Sequence, residues 1–355
     1  MKIRVSKLVI ESMLINLQPF LEKKDASQIT SHIYFQTINN KCIVKATDSE
    51  IGLEIVTDNI IIDHEGSFTV NGKKLLDIVR ILKDDEIIFE LLDNILTVKQ
   101  KHSKFKLPTF DANAYPSFPT IDEKPQISID SLSLIQNLKK ISFSIDNNNP
   151  KFELNGALIN IKSHSTDLVG TDTRRLSIAT IEGYNPEELS IIVPKKAILE
   201  IQKLFLDEIT IYYDKTNLII TNKNYYFYTR LINGKFPDYQ RIIPATLKHT
   251  IILPKKEMVD SIKMITTISQ DIKLTLLADR IVFHSLASDN VEAKTEISIP
   301  TGFDNKFEFS FNSRYLLDFL SQIDKNQFEI GLNEENLPFM VKDDNFITII
   351  MPIVI

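Results

Sequence analysis

Cys42 is the only thiol in this 355-residue chain, so an internal disulfide is excluded and a reducing compartment, the cytoplasm, is the expected setting. Glycine is scarce too, with nine residues, which leaves few of the tight loops that wrap small ligands. The stretch Gly72-Lys73-Lys74 lacks both the earlier glycine and the Ser or Thr of a phosphate loop, and no dinucleotide fingerprint occurs. The six histidines stand singly, without partners at metal-ligand spacing, and no serine lies in a nucleophile elbow. No apolar run approaches the roughly 18 residues that span a bilayer, and the N-terminus lacks the order of a signal peptide. Catalysis, a bound metal or cofactor, and membrane insertion are therefore not expected.

What the sequence has is repetition. With 43% hydrophobic and 25% charged residues it reads as an ordinary globular chain, and one template occurs three times at a spacing of roughly 120 residues. The first copy runs from Phe68-Thr69-Val70 through a helical pattern to Tyr115-Pro116. The second runs from Ile191-Ile192-Val193 to Phe236-Pro237, and the third from Phe309-Ser310-Phe311 to Met351-Pro352. Each is preceded by another strand–helix half: Ile3 to Val5 then Ser6 capping a stripe of Leu8, Ile10, Leu14, Leu17 and Leu21; Ile127 to Ile129 then Leu132, Leu134, Ile135, Leu138 and Ile141; Ile251 to Leu253 then Met258, Val259, Ile262 and Ile265. Ala46-Thr47-Asp48, Gly170-Thr171-Asp172 and Ala287-Ser288-Asp289 mark corresponding places in the three first halves, and an aspartate there is expected to close an Asx turn. The fold class is α+β, with three tandem domains of two helices and antiparallel sheets, spanning residues 1–122, 123–246 and 247–355.

The net charge of −6 would disfavour a nucleic-acid partner, but the predicted helices together are positive, so the remainder is more acidic than the whole. Lys73-Lys74, Lys195-Lys196 and Lys255-Lys256 occupy first helical turns, where the macrodipole disfavours a cation by about 0.3–1 kcal/mol. Acids one turn on (Asp77, Glu200, Asp260) are in the weaker order and offset at most about 0.5 kcal/mol per pair. A polyanion facing the helices is the expected compensation.

Three tandem two-helix domains with basic helices and no catalytic set resemble the bacterial DNA sliding clamp, the beta subunit of DNA polymerase III. The runs Asn155-Gly156, Gly170-Thr171-Asp172-Thr173-Arg174-Arg175-Leu176, Val193-Pro194-Lys195-Lys196, Gly234-Lys235-Phe236-Pro237-Asp238-Tyr239 with Arg241, and Met351-Pro352 look like that family's motifs, in order, over essentially the whole chain. The resemblance implies a processivity factor without chemistry of its own, a head-to-tail homodimeric ring with helices lining the hole. It implies sequence-independent binding of double-stranded DNA through residues drawn from Lys24, Lys73, Lys74, Arg80, Lys139, Lys140, Lys195, Lys196, Lys203, Lys255, Lys256 and Lys263. It also implies a pocket for short peptide motifs of the DNA polymerase III catalytic subunit, the clamp loader, other polymerases and mismatch-repair factors. That pocket is lined by Leu154, Thr171, Arg174, Arg175, Leu176, Pro237, Arg241, Ile242, Ile349 and Met351, extended by Asn312, Tyr315, Pro338 and Pro352. Phe105, Leu107 and Ile268 match dimer contacts.

This sequence departs from the family pattern where Thr173-Arg174 replace a common Gly-His, where Glu153 replaces a frequent aromatic, and where the tail Ile353-Val354-Ile355 lacks a basic residue. Two other classes compete. A strand-rich hydrolase or carbohydrate-active enzyme needs paired carboxylates unique to one copy, and a monomeric peptide-binding scaffold needs no ring.

Overall fold

Ser6 ends the first strand and caps the first helix, its hydroxyl accepting from the Val9 N–H at 3.4 Å. The computed structural model, which describes residues 1–286 and 291–354, forms six helices among those residues. They are α1 (Lys7–Leu17), α2 (Gly72–Ile81), α3 (Ser131–Ile141), α4 (Lys195–Leu204), α5 (Lys255–Thr266) and α6 (Ser313–Gln322). Asn71 caps α2 and Asn312 caps α6 through their side-chain oxygens.

Several local expectations need correction. α1 stops at Leu17 because Pro19, lacking an N–H, starts a one-turn 3-10 helix (Gln18–Phe20), so Lys24 lies beyond the helix. The buried face of α1 is Ile10, Met13, Leu14 and Leu17, while Leu8 is 64% exposed. On α2, where spacing predicts a stripe of Leu75, Leu76, Ile78 and Ile81, the buried side chains are Leu75, Leu76 and Val79, and Ile81 points outward; on α3 Leu132 is likewise exposed. Ile127 to Ile129 form no strand: Gln126 makes an isolated bridge to Tyr212, with Ile127 donating to the Ile211 carbonyl.

The chain divides into two compact units. Unit one is Met1–Ser131 with Lys203–Leu231. It holds a five-stranded sheet in the order Ile61–His64, Lys2–Ser6, Glu86–Leu92, Ile95–Gln100, Ser103–Pro108. Its second sheet has seven strands, ordered Thr210–Tyr213, Asn217–Thr221, Tyr225–Arg230, Ile51–Thr57, Lys41–Thr47, His32–Ile38, Gly66–Asn71. Unit two is Leu132–Gln202 with Ile232–Ile355. There eight strands run Leu189–Pro194, Gly156–Ile161, Ser165–Thr171, Arg175–Glu182, Phe346–Ile350, Phe339–Asp343, Gln327–Leu332, His249–Pro254, and four run Lys294–Ser298, Arg280–Ser285, Asp271–Leu277, Phe307–Asn312. Every pairing is antiparallel.

A simple rule underlies this arrangement. The third strand after the first helix of one repeat pairs with the last strand of the next repeat. Ile51–Thr57 pairs with Tyr225–Arg230, and Arg175–Glu182 with Phe346–Ile350. Backbone hydrogen bonds therefore cross both repeat boundaries, and the second repeat contributes strands to both units. No helix among the described residues is long and apolar enough to cross a membrane.

Candidate functional site

Two hairpin turns of matching construction stand at these two joints. In the first, Asp48 Oδ1 accepts from the Glu50 and Ile51 N–H groups, and the Thr47 hydroxyl bonds the Ile51 carbonyl. In the second, Asp172 Oδ1 accepts from the Arg174 and Arg175 N–H groups, and the Thr171 hydroxyl bonds the Arg175 carbonyl at 2.7 Å. Both are Asx turns with a left-handed residue at the tip, Ser49 (φ 76) and Thr173 (φ 73). The third marker, Ala287-Ser288-Asp289, lies outside the described residues.

The second turn sits beside an apolar cluster in unit two. Leu154, Leu176 and Ile349 are each at most 2% exposed, and with Leu158, Val169, Ile178, Ile192, Phe236, Tyr239 and Met340 they form one packed group. Leu176 and Ile349 are direct cross-strand partners. Around this floor the apolar surface comes to solvent: Pro237 is exposed, Ile242 is 43% and Met351 39% exposed. Ile242 ends a one-turn helix, Tyr239–Ile242. Met351 is held by its N–H donating to the Arg174 carbonyl, and Ile353 by donating to Ser310. Arg174 and Arg241 stand exposed at the edge, Arg241 paired with Asp238 at 2.8 Å. An apolar floor with exposed apolar lips and two cations suits a short peptide with leucine or aromatic anchors and acidic flanks.

Arg175, expected in this lining, is not available to it. It is buried, with Nε on Asp172 at 2.9 Å, one terminal nitrogen on Asp318 at 2.6 Å and the other on the Phe143 carbonyl at 2.8 Å. Its guanidinium is sandwiched between the rings of Phe143 and Tyr315, at 4.8 and 4.7 Å. This arginine fastens the second repeat to α6 of the third. Tyr315 is thereby engaged as well, and Asn312 caps α6 while its amide donates to Asp271 at 2.9 Å. Pro338 and Pro352 are half-buried.

The basic residues separate into two groups. Lys24, Lys73, Lys74, Arg80, Lys139, Lys196, Lys203, Lys256 and Lys263 are exposed, whereas Lys140, Lys195 and Lys255 are half-buried. Lys195 Nζ donates to the Ile145 carbonyl and Lys255 Nζ to the Ile323 carbonyl, both at 2.6 Å, and Lys140 donates to Asn345. Lys7, at the start of α1, reaches the Arg80 carbonyl near the end of α2 in the same way. A first-turn lysine of one helix thus neutralises unsatisfied carbonyls at or just past the end of the other helix of its repeat, where cations are favoured. This internal compensation replaces the polyanion for those lysines; burial, with the nearby Arg175 charge adding to it, pushes the Lys195 amine below its ordinary range. Phe105 and Leu107 lie on the edge strand Ser103–Pro108, facing Val98 and Leu96, and Ile268, 41% exposed, follows α5.

Models of the DNA polymerase III beta subunit match the chain in three consecutive parts: the N-terminal domain over residues 1–119, the central domain over 128–238 and the C-terminal domain over 240–354. The chain belongs to the beta sliding clamp family. The Helicobacter pylori (strain J99) beta sliding clamp is 41% identical over 352 residues, covering 97% of this chain and 94% of its own, and that of Pseudomonas aeruginosa is 26% identical over 350. The fold matches the crystal structure of the Helicobacter pylori beta clamp bound to a DNA ligase peptide with a TM-score of 0.94 at 40% identity, each chain covered completely. It also matches the Pseudomonas aeruginosa DNA polymerase III subunit beta at 0.90 and 24%, a likeness of fold alone. As a member of this family the chain is an accessory processivity factor of DNA polymerase III and not itself a catalyst.

The first joint is built differently. Gly52 and Tyr228 are cross-strand partners where the second joint has Leu176 and Ile349. A Cβ at Gly52 would lie 2.2 Å from Tyr228 Cε1, so only glycine admits the ring. Tyr228 fills the space, bonded to the Thr47 hydroxyl at 2.7 Å and packed edge-on against Phe118 at 4.8 Å. Sequence reasoning missed Asp318 and the polar cluster beneath the second joint, buried Asp167 with half-buried Asn160 and Thr180. A signal for the latter existed, since each lies two residues along its strand from an apolar residue of the floor, Leu158, Val169 or Ile178, and so on the same face.

Proposed function

We propose that two copies of the chain close head to tail into a ring around duplex DNA, slide on it, and tether partners through the pocket at the second joint. The observation that carries this reading is the pairing rule. Applied a third time, it leaves Lys294–Ser298 of the third repeat and Ser103–Pro108 of the first as edge strands without that partner, each the natural complement of the other on a second copy. Phe105, Leu107 and Ile268 then belong to the joint between copies, and the domains are 1–122, 123–246 and 247–355.

The exposed helix cations Lys73, Lys74, Arg80, Lys139, Lys196, Lys203, Lys256 and Lys263, with Lys24, face the DNA as weak, sequence-blind phosphate contacts. Lys140, Lys195 and Lys255 contribute field rather than direct contact. Retention is topological, so tight binding is unnecessary. The peptide pocket comprises Leu154, Thr171, Arg174, Leu176, Pro237, Arg241, Ile242, Ile349 and Met351. Its occupants are the polymerase III catalytic subunit, clamp loader, other polymerases, repair factors and, as with the Helicobacter pylori relative, a ligase peptide. The setting is the cytoplasm.

The test is to load the protein on nicked circular DNA and then linearise the circle. Retention on the circle and rapid loss from the linear form are expected; equal retention on both overturns topological binding. A truncation after Ile350, removing residues 351–355, is expected to abolish binding of a polymerase-tail peptide, and unchanged affinity overturns the pocket.

A further inference from the structure

Beneath the pocket the sheet carries two adjoining rows of side chains on one face. Leu158, Val169 and Ile178 are cross-strand neighbours and belong to the apolar floor. Two residues further along the same strands, and therefore on the same face, stand Asn160, Asp167 and Thr180, again direct neighbours. Tyr239 spans both rows. Its ring packs in the floor, and its hydroxyl donates to Asp167 Oδ2 at 2.6 Å while accepting from the Asn160 amide at 3.1 Å. Asp167 also takes Lys162 Nζ at 2.5 Å on the same oxygen and the Thr180 hydroxyl at 2.9 Å on the other. Asp167 is 7% and Tyr239 6% exposed, so the bond between these two is shielded from water and removing one partner leaves a buried group unmet.

Tyr239 is the first residue of the one-turn helix that carries Arg241 and Ile242, and Pro237 precedes it by two. That turn has no side-chain cap of its own. Phe236 before it and Ile243 after it pack on the same floor, and within the turn Tyr239 is the residue that reaches the sheet with both its ring and its hydroxyl. We propose that Asp167 and Tyr239 are positioning residues of the peptide pocket: the buried carboxylate fixes the tyrosine hydroxyl, and the tyrosine fixes the lip formed by Pro237, Arg241 and Ile242 over the Leu176–Ile349 floor. Neither residue need touch the peptide. Although burial opposes its ionisation, the bonds from Lys162, Tyr239 and Thr180 hold the Asp167 carboxyl below the usual carboxylate range, so the clasp is in its charged form at neutral pH.

This inference rests on the pocket reading, and the experiment separates the two. The probe is a fluorescein-labelled peptide comprising the C-terminal residues of the cognate replicative polymerase, titrated with the full-length protein. Tyr239→Phe keeps the ring and removes the hydroxyl; its affinity is expected to fall about fivefold to tenfold, the scale of one buried hydrogen bond. Asp167→Ala is expected to fall at least as far, and Asp167→Ala with Tyr239→Phe no further than Asp167→Ala alone. Asp167→Asn, whose amide oxygen still accepts the tyrosine proton, is expected to recover part of the loss. A role confined to overall stability would lower the melting temperature and leave the peptide affinity of the folded protein unchanged, which would overturn the positioning role. Leu176→Ala serves as the pocket control. If it weakens binding while Tyr239→Phe stays within twofold of the unsubstituted protein, the positioning role is overturned. If neither substitution changes the affinity, the pocket reading itself fails.

Discussion

Arg175 and Asp318 meet at 2.6 Å across 143 positions of sequence, and the same guanidinium holds Asp172, the Phe143 carbonyl and two aromatic faces. Removing it takes the buried cation from between two carboxylates and a carbonyl at a repeat joint. Arg175→Ala is expected to lower the unfolding free energy by about 3–5 kcal/mol, the range for breaking a buried pair. Arg175→Lys should restore little, because an ammonium neither stacks between two rings nor forks to three acceptors. Urea denaturation of the three proteins checks this.

The lysine pair opening α5 divides its labour. Lys255 closes on the Ile323 carbonyl, while Lys256 is exposed. Lys255→Ala is expected to lower the melting temperature by a few degrees, about 1 kcal/mol, and to leave the salt dependence of duplex binding unchanged. Lys256→Ala is expected to do the reverse, reducing the slope of log affinity against log salt by about one. Melting curves and a salt titration on a short duplex distinguish them.

At the proposed joint between copies, alternation turns Lys104 and Lys106 outward on one edge strand and Glu296 outward on the other. Glu296 lies 3.9 Å from Arg280 within its own chain, which leaves its charge only loosely committed. Glu296→Lys is expected to raise the dimer dissociation constant at least tenfold through like-charge contact, with Lys104→Glu and Lys106→Glu together restoring it. Sedimentation velocity across a dilution series reads the outcome, and an unchanged dimer would place the joint elsewhere.

His32 gives the first unit a sensitivity to mild acid. Burial, assisted by the Lys74 charge, holds its imidazole down at about 4. The ring stacks on Phe110 at 4.3 Å and shares the Thr69 hydroxyl, which itself donates to the Phe110 carbonyl, so Nδ1 carries the proton. The unfolded chain takes up a proton near pH 6.5 that the folded one refuses until about pH 4. Stability is thus complete above about pH 6.5 and falls as pH drops toward 4, by roughly 2–3 kcal/mol. Melting at pH 7 and pH 5 is expected to differ less for His32→Gln than for the unsubstituted protein.

The repeat, six helices and the Asx turns at Asp48 and Asp172 were legible because their causes are local: capping residues, apolar spacing, and an aspartate bonding its own backbone. Exposure of Leu8, Ile81 and Leu132 was not, since periodicity gives the direction of a stripe but not its width. Nor could sequence reveal that Arg175 turns inward, because its partners Asp318 and Tyr315 lie in another repeat and no local pattern records the meeting. Lys195 and Lys255 misled for a related reason. A first-turn lysine looks uncompensated until the neighbouring helix's end is brought beside it. The joints between repeats follow from strand pairings of far-separated segments, which leave no signature in either strand.

Tyr228 over Gly52 settles a matter of arithmetic. With the first joint filled from within, the two joints give each chain one berth under the proposed pocket, and the proposed pair of chains two, however many enzymes are present. Newcomers then wait at the vacant subunit or evict an incumbent, so the order in which enzymes reach a DNA end is governed by residence times at a scarce seat.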